Sequence, residues 1–160
     1  MKGKYLLLGS NLGDREELLN TAREQIEKWI GAIVKTSLIY ETEAWGIEDQ
    51  PEFLNQALEI ETELKPIEVL DKIGIIEKEM GRRRYQKWGT RIIDIDILYF
   101  DDEVIETEEL IIPHPENPNR KFVLVPMVEI APDLVHPTLS LSQEELLDRC
   151  QDPLEVKLFK

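Results

Sequence analysis

The stretch GRRRYQKWGTRIIDIDILYF, residues 81–100, changes from basic to apolar along its length. Residues 81–91 hold four arginines and one lysine, although the chain as a whole carries a formal net charge of -14. Residues 92–100 are apolar except for Asp94 and Asp96. We interpret the stretch as a cationic loop that leads into a buried strand. This combination predicts a site for a polyphosphate and its metal ions.

Asp94 and Asp96 are two residues apart, so on a strand their side chains point the same way, with Cα atoms about 6.5–7 Å apart. The two carboxylates can therefore converge on one cation or bridge two cations. A solvated strand face is the usual explanation of alternating Asp and Ile, but this face continues into Ile92 and Leu98. Like charges in a partly buried strand also repel unless cations compensate them. Oxygen ligands favour Mg²⁺ over zinc, and Mg²⁺ usually arrives with substrate phosphates.

Apolar patterns before this stretch predict the other elements of the core. Residues 5–8 form a short strand, and the helix that follows has an apolar stripe that Gly31 ends. Residues 34–42 and 53–64 alternate as strands, and Pro66 begins a second helix. With residues 91–100 as the fourth strand, the order is β-α-β-β-α-β, the ferredoxin-like split pattern. This α+β arrangement implies an antiparallel sheet with both helices on one face, and the other face is left for a ligand or for the remaining chain.

The rest of the chain is expected to extend this core with C-terminal strands and a helix. Short extended pieces are predicted at residues 104–105 and 110–112, and the apolar residues 122–125 could form a further strand. Ser142 and Glu145 make a capping box for a last helix that ends near Cys150. No repeat or linker interrupts the chain, so a single domain over residues 1–160 is predicted.

Composition excludes several classes of protein. A hydrophobic content of 42% with 32% charged residues is typical of a soluble globular protein. We expect a cytoplasmic monomer without a membrane partner, because no apolar run approaches the ~20 residues of a membrane helix and the first residues are too short for a signal peptide. A pI near 4.6 argues against nucleic acid as a partner. The lone Cys150 excludes an internal disulfide and a cysteine-built metal site, and we expect it to be an ordinary helix residue.

Side chains that could bind a nucleotide and a flat ring lie in several segments. The basic loop over residues 81–90 could bind phosphate oxygens, and its Trp88 could stack on a base; a solvated basic turn is the alternative. The turn over residues 9–13 matches no nucleotide-binding glycine motif, so cationic side chains and metal must handle any triphosphate. Phe53 and Asn55 share a strand face that suits a heterocycle, although Phe53 could simply pack in the core. His114 could equally be a surface histidine.

The motifs, in their order, resemble those of the 6-hydroxymethyl-7,8-dihydropterin pyrophosphokinase family of folate biosynthesis. The similarity spans about residues 5–134, and it runs through GSNLGD (9–14), FLN (53–55), RRR (82–84), WGTRIIDIDIL (88–98), PHP (113–115) and RKF (120–122). The block Arg-x-Ile-Asp-x-Asp-Ile, together with the first glycine turn, is highly specific for that family. The chain departs from the family pattern at Thr90, where proline is usual, and at residues 43–45, where a proline-rich sequence is typical.

The resemblance implies transfer of the β,γ-pyrophosphoryl group of ATP to the hydroxyl of the hydroxymethylpterin, with release of AMP. Asp94 and Asp96 would hold two Mg²⁺ ions, and Asp96 could also help to take the hydroxyl proton. Arg82 and Arg91 would steady the charge on the transferring group. The positions that match the ATP side of the family's site are Glu77, Arg82, Arg84, Trp88, Arg91, Ile97, His114 and Arg120. Those that match the pterin side are Thr42, Trp45, Phe53, Asn55 and Phe122, with Phe53 and Phe122 on either face of the ring.

Two other functions fit the bare sequence. One is a non-catalytic, nucleotide-binding ferredoxin-like module, and the other is an ordinary kinase that releases ADP. The aspartate pair favours the pyrophosphokinase over the binding module, because a simple binder does not need two convergent carboxylates beside a cationic loop. The loops over residues 43–51 and 81–90 are expected to close over the substrates and exclude water.

Overall fold

An antiparallel sheet forms the centre of the structure, a computed structural model that describes residues 3–11, 13–42, 52–81 and 93–159. The first part of the chain forms β1 (Lys4–Ser10), α1 (Arg15–Trp29), β2 (Ala32–Thr36), β3 (Tyr40–Thr42), β4 (Phe53–Glu61), α2 (Pro66–Gly81) and β5 (Asp94–Phe100). The second part forms β6 (Ile105–Glu106), β7 (Ile111–Ile112), α3 (Lys121–Ile130), α4 (Gln143–Arg149) and β8 (Val156–Leu158). The predicted β-α-β-β-α-β core is confirmed, and the predicted second strand is divided into β2 and β3.

The sheet has the strand order β5-β1-β4-β3-β8, with β2 paired to the other end of β4. β1 lies between β4 and β5 and is antiparallel to both. Gly9 of β1 is opposite Asn55 on one side and Asp94 on the other, and Leu7 is opposite Asp96. Because residues opposite one another in a sheet share a face, these side chains all point the same way.

Helices α1 and α2 cover the other face of the sheet, as predicted from their apolar stripes. Their buried residues pack against alternate residues of β1, β4 and β5, and the cluster includes Leu19, Ala22, Ile26, Val69, Ile73, Ile76, Leu6, Leu8, Leu54, Leu58, Ile95 and Ile97. The period of two in the strands therefore sends these residues to the helix side. It leaves the odd-numbered residues of β4 and the even-numbered acids of β5 on the opposite side.

Residues 122–125 belong to helix α3, so the prediction of a further strand there was wrong. A run of four apolar residues is ambiguous between a strand and a buried helix turn. Val123, Met127 and Ile130 recur at helical spacing and pack against Tyr5 and Tyr99 on the ligand-facing side of the sheet. The remaining chain thus covers part of the face that the fold leaves open.

A bulge in β5 decides which side chains share that face. Leu6 is opposite Ile97, whereas Tyr5 is opposite Tyr99, so Leu98 is an extra residue in the strand. Leu98 and Tyr99 both pack with Tyr5 on the α3 side, and the rings of Tyr5 and Tyr99 meet edge to face with centroids 6.5 Å apart. The bulge therefore lets the apolar end of β5 anchor α3 on the same face as its two aspartates.

Helix α4 begins at the predicted capping box, in which Ser142 Oγ accepts the Glu145 N–H and the Glu145 carboxylate accepts the Ser142 N–H. The buried Gln143 amide donates to Tyr99 Oη at 3.0 Å and to the Leu134 carbonyl at 3.2 Å. Burial raises the pKa of Tyr99, so its phenol remains neutral in this contact. These bonds attach α4 to the sheet.

The helices within the described ranges are all too short or too polar to cross a bilayer.

Gly74 is an exposed position inside α2, where an added Cβ would meet no described atom within 4 Å. Glycine is less favourable than alanine in a helix interior, so we expect Gly74→Ala to raise the free energy of unfolding by about 0.5–1 kcal/mol in urea denaturation. Gly31→Ala is the contrasting variant and should lower the free energy of unfolding, because its Cβ would lie 2.0 Å from the backbone oxygen of Glu61. A loss of stability in Gly74→Ala would contradict this placement.

Candidate active site

A cavity of about 650 Å³ opens on the face of the sheet opposite α1 and α2. The sheet contributes Leu7, Gly9, Thr42, Phe53, Asn55, Asp94 and Asp96 to its wall. The start of α3 and the preceding turn contribute Pro118, Asn119, Arg120 and Phe122. The end of α4 and the chain after it contribute Arg149, Cys150, Gln151, Asp152 and Pro153. The cavity therefore brings together predicted residues from both the phosphate and the ring side.

The two aspartates of β5 share the cavity wall, as their spacing predicted. Both are half-buried, whereas Ile95 between them is 4% exposed and packs on the helix side. The described residues contain no group of three or more acidic, histidine or cysteine side chains that could hold a metal. A pair of carboxylates fits Mg²⁺, which commonly takes one or two protein carboxylates and completes its octahedron with waters and substrate phosphates.

Thr42 and Asn55 place polar atoms in the opposite part of the cavity. The two residues are 2% and 4% exposed, and among the described residues Thr42 Oγ1 and Asn55 Oδ1 have no hydrogen-bond partner. Leaving a buried acceptor unsatisfied costs about 1–3 kcal/mol, so such atoms in a cavity wall indicate a polar ligand. Asn55 Nδ2 lies 3.4 Å from the Leu8 carbonyl oxygen.

Glycine at position 9 makes room for the Asn55 amide. A Cβ at Gly9 would lie 2.9 Å from Asn55 Nδ2, which is closer than real side chains tolerate. Gly9 also lies between Asn55 and Asp94 in the row of paired residues across the sheet. Neighbouring strands are about 4.7–4.9 Å apart, so the amide and the first aspartate begin about 10 Å from one another with no side chain between them.

Two aromatic rings border the cavity from separate elements. Phe53 begins β4, and Phe122 lies in the first turn of α3, and both are half-buried. The guanidinium carbon of the exposed Arg120 is 5.5 Å from the centroid of the Phe122 ring, a cation–π contact. Apolar ring faces beside an amide and a hydroxyl are the composition expected of a site for a flat heterocycle.

Three residues predicted on the ATP side lie along the outer edge of β5. Glu77 Oε2 accepts the Ile95 N–H at 2.9 Å, and the His114 N–H donates to the Leu98 carbonyl at 3.1 Å. His114 Nδ1 accepts the Glu116 N–H at 3.1 Å, so the neutral ring carries its proton on Nε2. The Ile97 side chain is buried on the helix side, so only its backbone can meet a ligand. The Ile95 N–H points away from β1, toward Glu77. Backbone N–H groups alternate sides along a strand, so the Ile97 N–H also points away from β1.

Several predictions fall on parts of the chain that the structure does not describe. Arg82, Arg84, Trp88 and Arg91 of the basic loop and Trp45 of the loop over residues 43–51 lie outside the described residues. Their assignments stay predictions.

The cavity wall formed by residues 149–153 was not predicted. Cys150 is the residue that follows α4, and it borders the cavity together with Asp152. No motif in the sequence marks this segment, and the Lys121 N–H that Asp152 accepts lies 31 residues earlier in the chain. The sequence offered only one signal, the capping box at Ser142 that fixes where α4 begins.

Comparison with known proteins identifies the family of this chain. The family model described as 7,8-dihydro-6-hydroxymethylpterin-pyrophosphokinase (HPPK) matches residues 5–132. The 2-amino-4-hydroxy-6-hydroxymethyldihydropteridine pyrophosphokinase of Aquifex aeolicus is 49% identical over 133 residues, which cover 83% of this chain and 82% of that protein. The Bacillus subtilis protein of that name is 50% identical over 127 residues, 79% and 76% of the two chains. The Haemophilus influenzae one is 42% identical and covers 96% of each chain.

Solved structures agree in fold. The crystal structure of an HPPK-DHPS triple mutant of Plasmodium falciparum matches with a TM-score of 0.75 at 19% identity, over 92% of this chain. This chain spans 43% of the length of that protein, and a likeness at such low identity concerns the fold alone. The family match and the identity to the three bacterial proteins go further. This chain is a member of the 7,8-dihydro-6-hydroxymethylpterin-pyrophosphokinase family.

Proposed function

We propose that this chain transfers the pyrophosphoryl group of ATP to the hydroxyl of 6-hydroxymethyl-7,8-dihydropterin and releases AMP, as a step of folate biosynthesis. One observation carries the proposal. One cavity is lined by an aspartate pair, a buried amide, a buried hydroxyl and two aromatic rings. The three bacterial relatives are named as pyrophosphokinases of a hydroxymethyldihydropteridine.

The ring of the pterin would occupy the part of the cavity at Thr42 and Asn55. The Asn55 amide can donate and accept, and the Thr42 hydroxyl can do the same, so together they can match the polar edge of the ring. Phe53 and Phe122 would cover its faces. The row from Asn55 over Gly9 to Asp94 then directs the hydroxymethyl group along β1 toward the acids.

The phosphate part of the cavity lies at Asp94 and Asp96, which would hold two Mg²⁺ ions together with the triphosphate. Bound Mg²⁺ would neutralise the charge that develops on the phosphoryl oxygens. The Asp96 carboxylate can also accept the proton that the attacking hydroxyl loses. Arg120 at the cavity wall would add positive charge for phosphate oxygens. We assign the same role to Arg82 and Arg91 on the family pattern.

The adenine of ATP would lie against the outer edge of β5. Ile97 turns its backbone N–H and C=O away from β1 there, and a purine edge offers matching donors and acceptors. Glu77 and His114 hold the strand edge on either side of that position. We assign Arg84 and Trp88 to the ATP side through the family pattern.

Product analysis tests the proposal. The protein, incubated with ATP, Mg²⁺ and 6-hydroxymethyl-7,8-dihydropterin, is expected to form AMP and the pterin diphosphate in equal amounts, measured by anion-exchange chromatography. Chelation of the metal by EDTA should stop the reaction, and added Mg²⁺ should restore it. Release of ADP would contradict pyrophosphoryl transfer. Tight binding of both substrates without any product would favour the non-catalytic binding module instead.

A further inference from the structure

The segment over residues 149–153 is held at both of its ends. It begins at the last residue of α4, the helix that Gln143 attaches to the sheet. It precedes β8, which pairs with β3 so that Val156 is opposite Thr42. Beyond β8, the Phe159 N–H donates to the Ile39 carbonyl at 2.8 Å. The segment therefore forms a fixed wall beside Thr42 and Phe122. It also lies outside residues 5–132, the range of the family match.

Asp152 connects this wall to the first turn of α3. Its Oδ2 accepts the Lys121 N–H at 3.1 Å, and its Oδ1 accepts the Leu154 N–H at 3.0 Å. Lys121 is the first residue of α3, and within the described part of the chain the side chain of the N-cap residue Arg120 makes no capping bond. The carboxylate of Asp152 thus caps α3 from a distant segment, at the helix end where a negative charge is favourable.

The capped residue stands between two side chains of the cavity wall. Arg120 precedes Lys121 and Phe122 follows it, and the cation–π contact links the two across the capped position. The start of a helix frays when its N–H groups lack partners. Loss of the cap would therefore loosen Phe122, whose ring faces the proposed heterocycle. Strands β4 and β5 would keep their places in the sheet.

We propose that Asp152 is a positioning residue for the pterin substrate, because it fixes the start of α3 and with it the ring of Phe122. This inference rests on the proposed function, since it takes the pterin as the ligand beside Phe122. Asp152 acts through Lys121 and Phe122 and needs no contact with the substrate. The aspartates of β5 lie on another element, so the metal-binding part of the site does not depend on it.

Steady-state kinetics of Asp152→Ala test the proposal. We expect the KM for the pterin to rise about fivefold or more, the scale of a lost N-cap, with the KM for ATP and kcat little changed. Asp152→Asn should fall between the wild type and the alanine variant, because one amide oxygen replaces two carboxylate acceptors. Asp148→Ala is the matched control, since Asp148 is an exposed acid of α4 outside the described cavity wall.

Amide hydrogen exchange supplies a readout that does not require turnover. The Lys121 and Leu154 amides should exchange faster in Asp152→Ala and remain protected in Asp148→Ala. An equal rise in both KM values, or an unchanged pterin KM in a less stable protein, would overturn the positioning role. If the wild type forms no AMP, the proposed function fails, and titration of pterin fluorescence with wild type and both Asp152 variants still decides the role of Asp152.

Discussion

Asp96→Asn is expected to reduce AMP formation by about a thousandfold while the protein remains folded. Asparagine keeps the size of the side chain but removes the negative charge, and a neutral amide is a poor ligand for Mg²⁺. The backbone pairing of residue 96 with Leu7 is unaffected by the change. The change also relieves repulsion from Asp94, so circular dichroism and thermal unfolding should show an intact fold.

Asp102→Asn is the matched control for this variant. Asp102 is an exposed acid in the turn after β5, so its loss changes the net charge equally but leaves the cavity wall intact. Its AMP formation should equal that of the wild type. Activity of Asp96→Asn near the wild-type level at saturating Mg²⁺ would show that the carboxylate does not hold the metal.

Asn55→Leu is expected to lower kcat/KM for the pterin by about a hundredfold or more, yet leave the thermal midpoint unchanged or raised. In the described structure the Asn55 oxygen is buried without a partner, so the free protein already bears its desolvation cost. Leucine of similar size removes that cost and leaves the polar edge of the bound pterin unpaired. Pterin titration and thermal unfolding of one preparation measure both effects.

Gln56→Leu on the same strand should give the opposite pattern. Gln56 faces away from the cavity, accepts from the Arg23 guanidinium, and donates to the Ser37 carbonyl at 2.8 Å. Its replacement breaks satisfied bonds of a buried group, so stability should fall while pterin affinity is preserved. Normal pterin affinity in Asn55→Leu would remove Asn55 from the ring site.

Alternation along single strands was predictable from the sequence, because it depends only on the period of two. This rule placed Phe53 with Asn55 and Asp94 with Asp96. The sequence could not predict the register that brings these two pairs together across Gly9, because pairing depends on contacts between residues distant in the chain. The row Asn55, Gly9, Asp94 follows from the pairing of three strands.

Two parts of the site could not be predicted from the sequence, for different reasons. Residues 122–125 alone are compatible with a strand, because four apolar residues satisfy either period until Met127 and Ile130 are included. The wall over residues 149–153 meets α3 through a bond between Asp152 and Lys121, which are 31 positions apart. A single acid near the C-terminus carries no pattern that would identify it as the cap of another helix.

The bonds along the outer side of β5 also affect how this protein meets other molecules. An edge strand with free N–H and C=O groups can recruit a strand from a second chain and begin aggregation. Here Glu77 holds the Ile95 N–H, and the Leu98 carbonyl accepts from both the His114 N–H and the Asn117 amide, the latter at 2.8 Å. An incoming strand would have to displace all three bonds. The edge is therefore closed to a neighbouring sheet at Ile95 and at Leu98, on either side of Ile97.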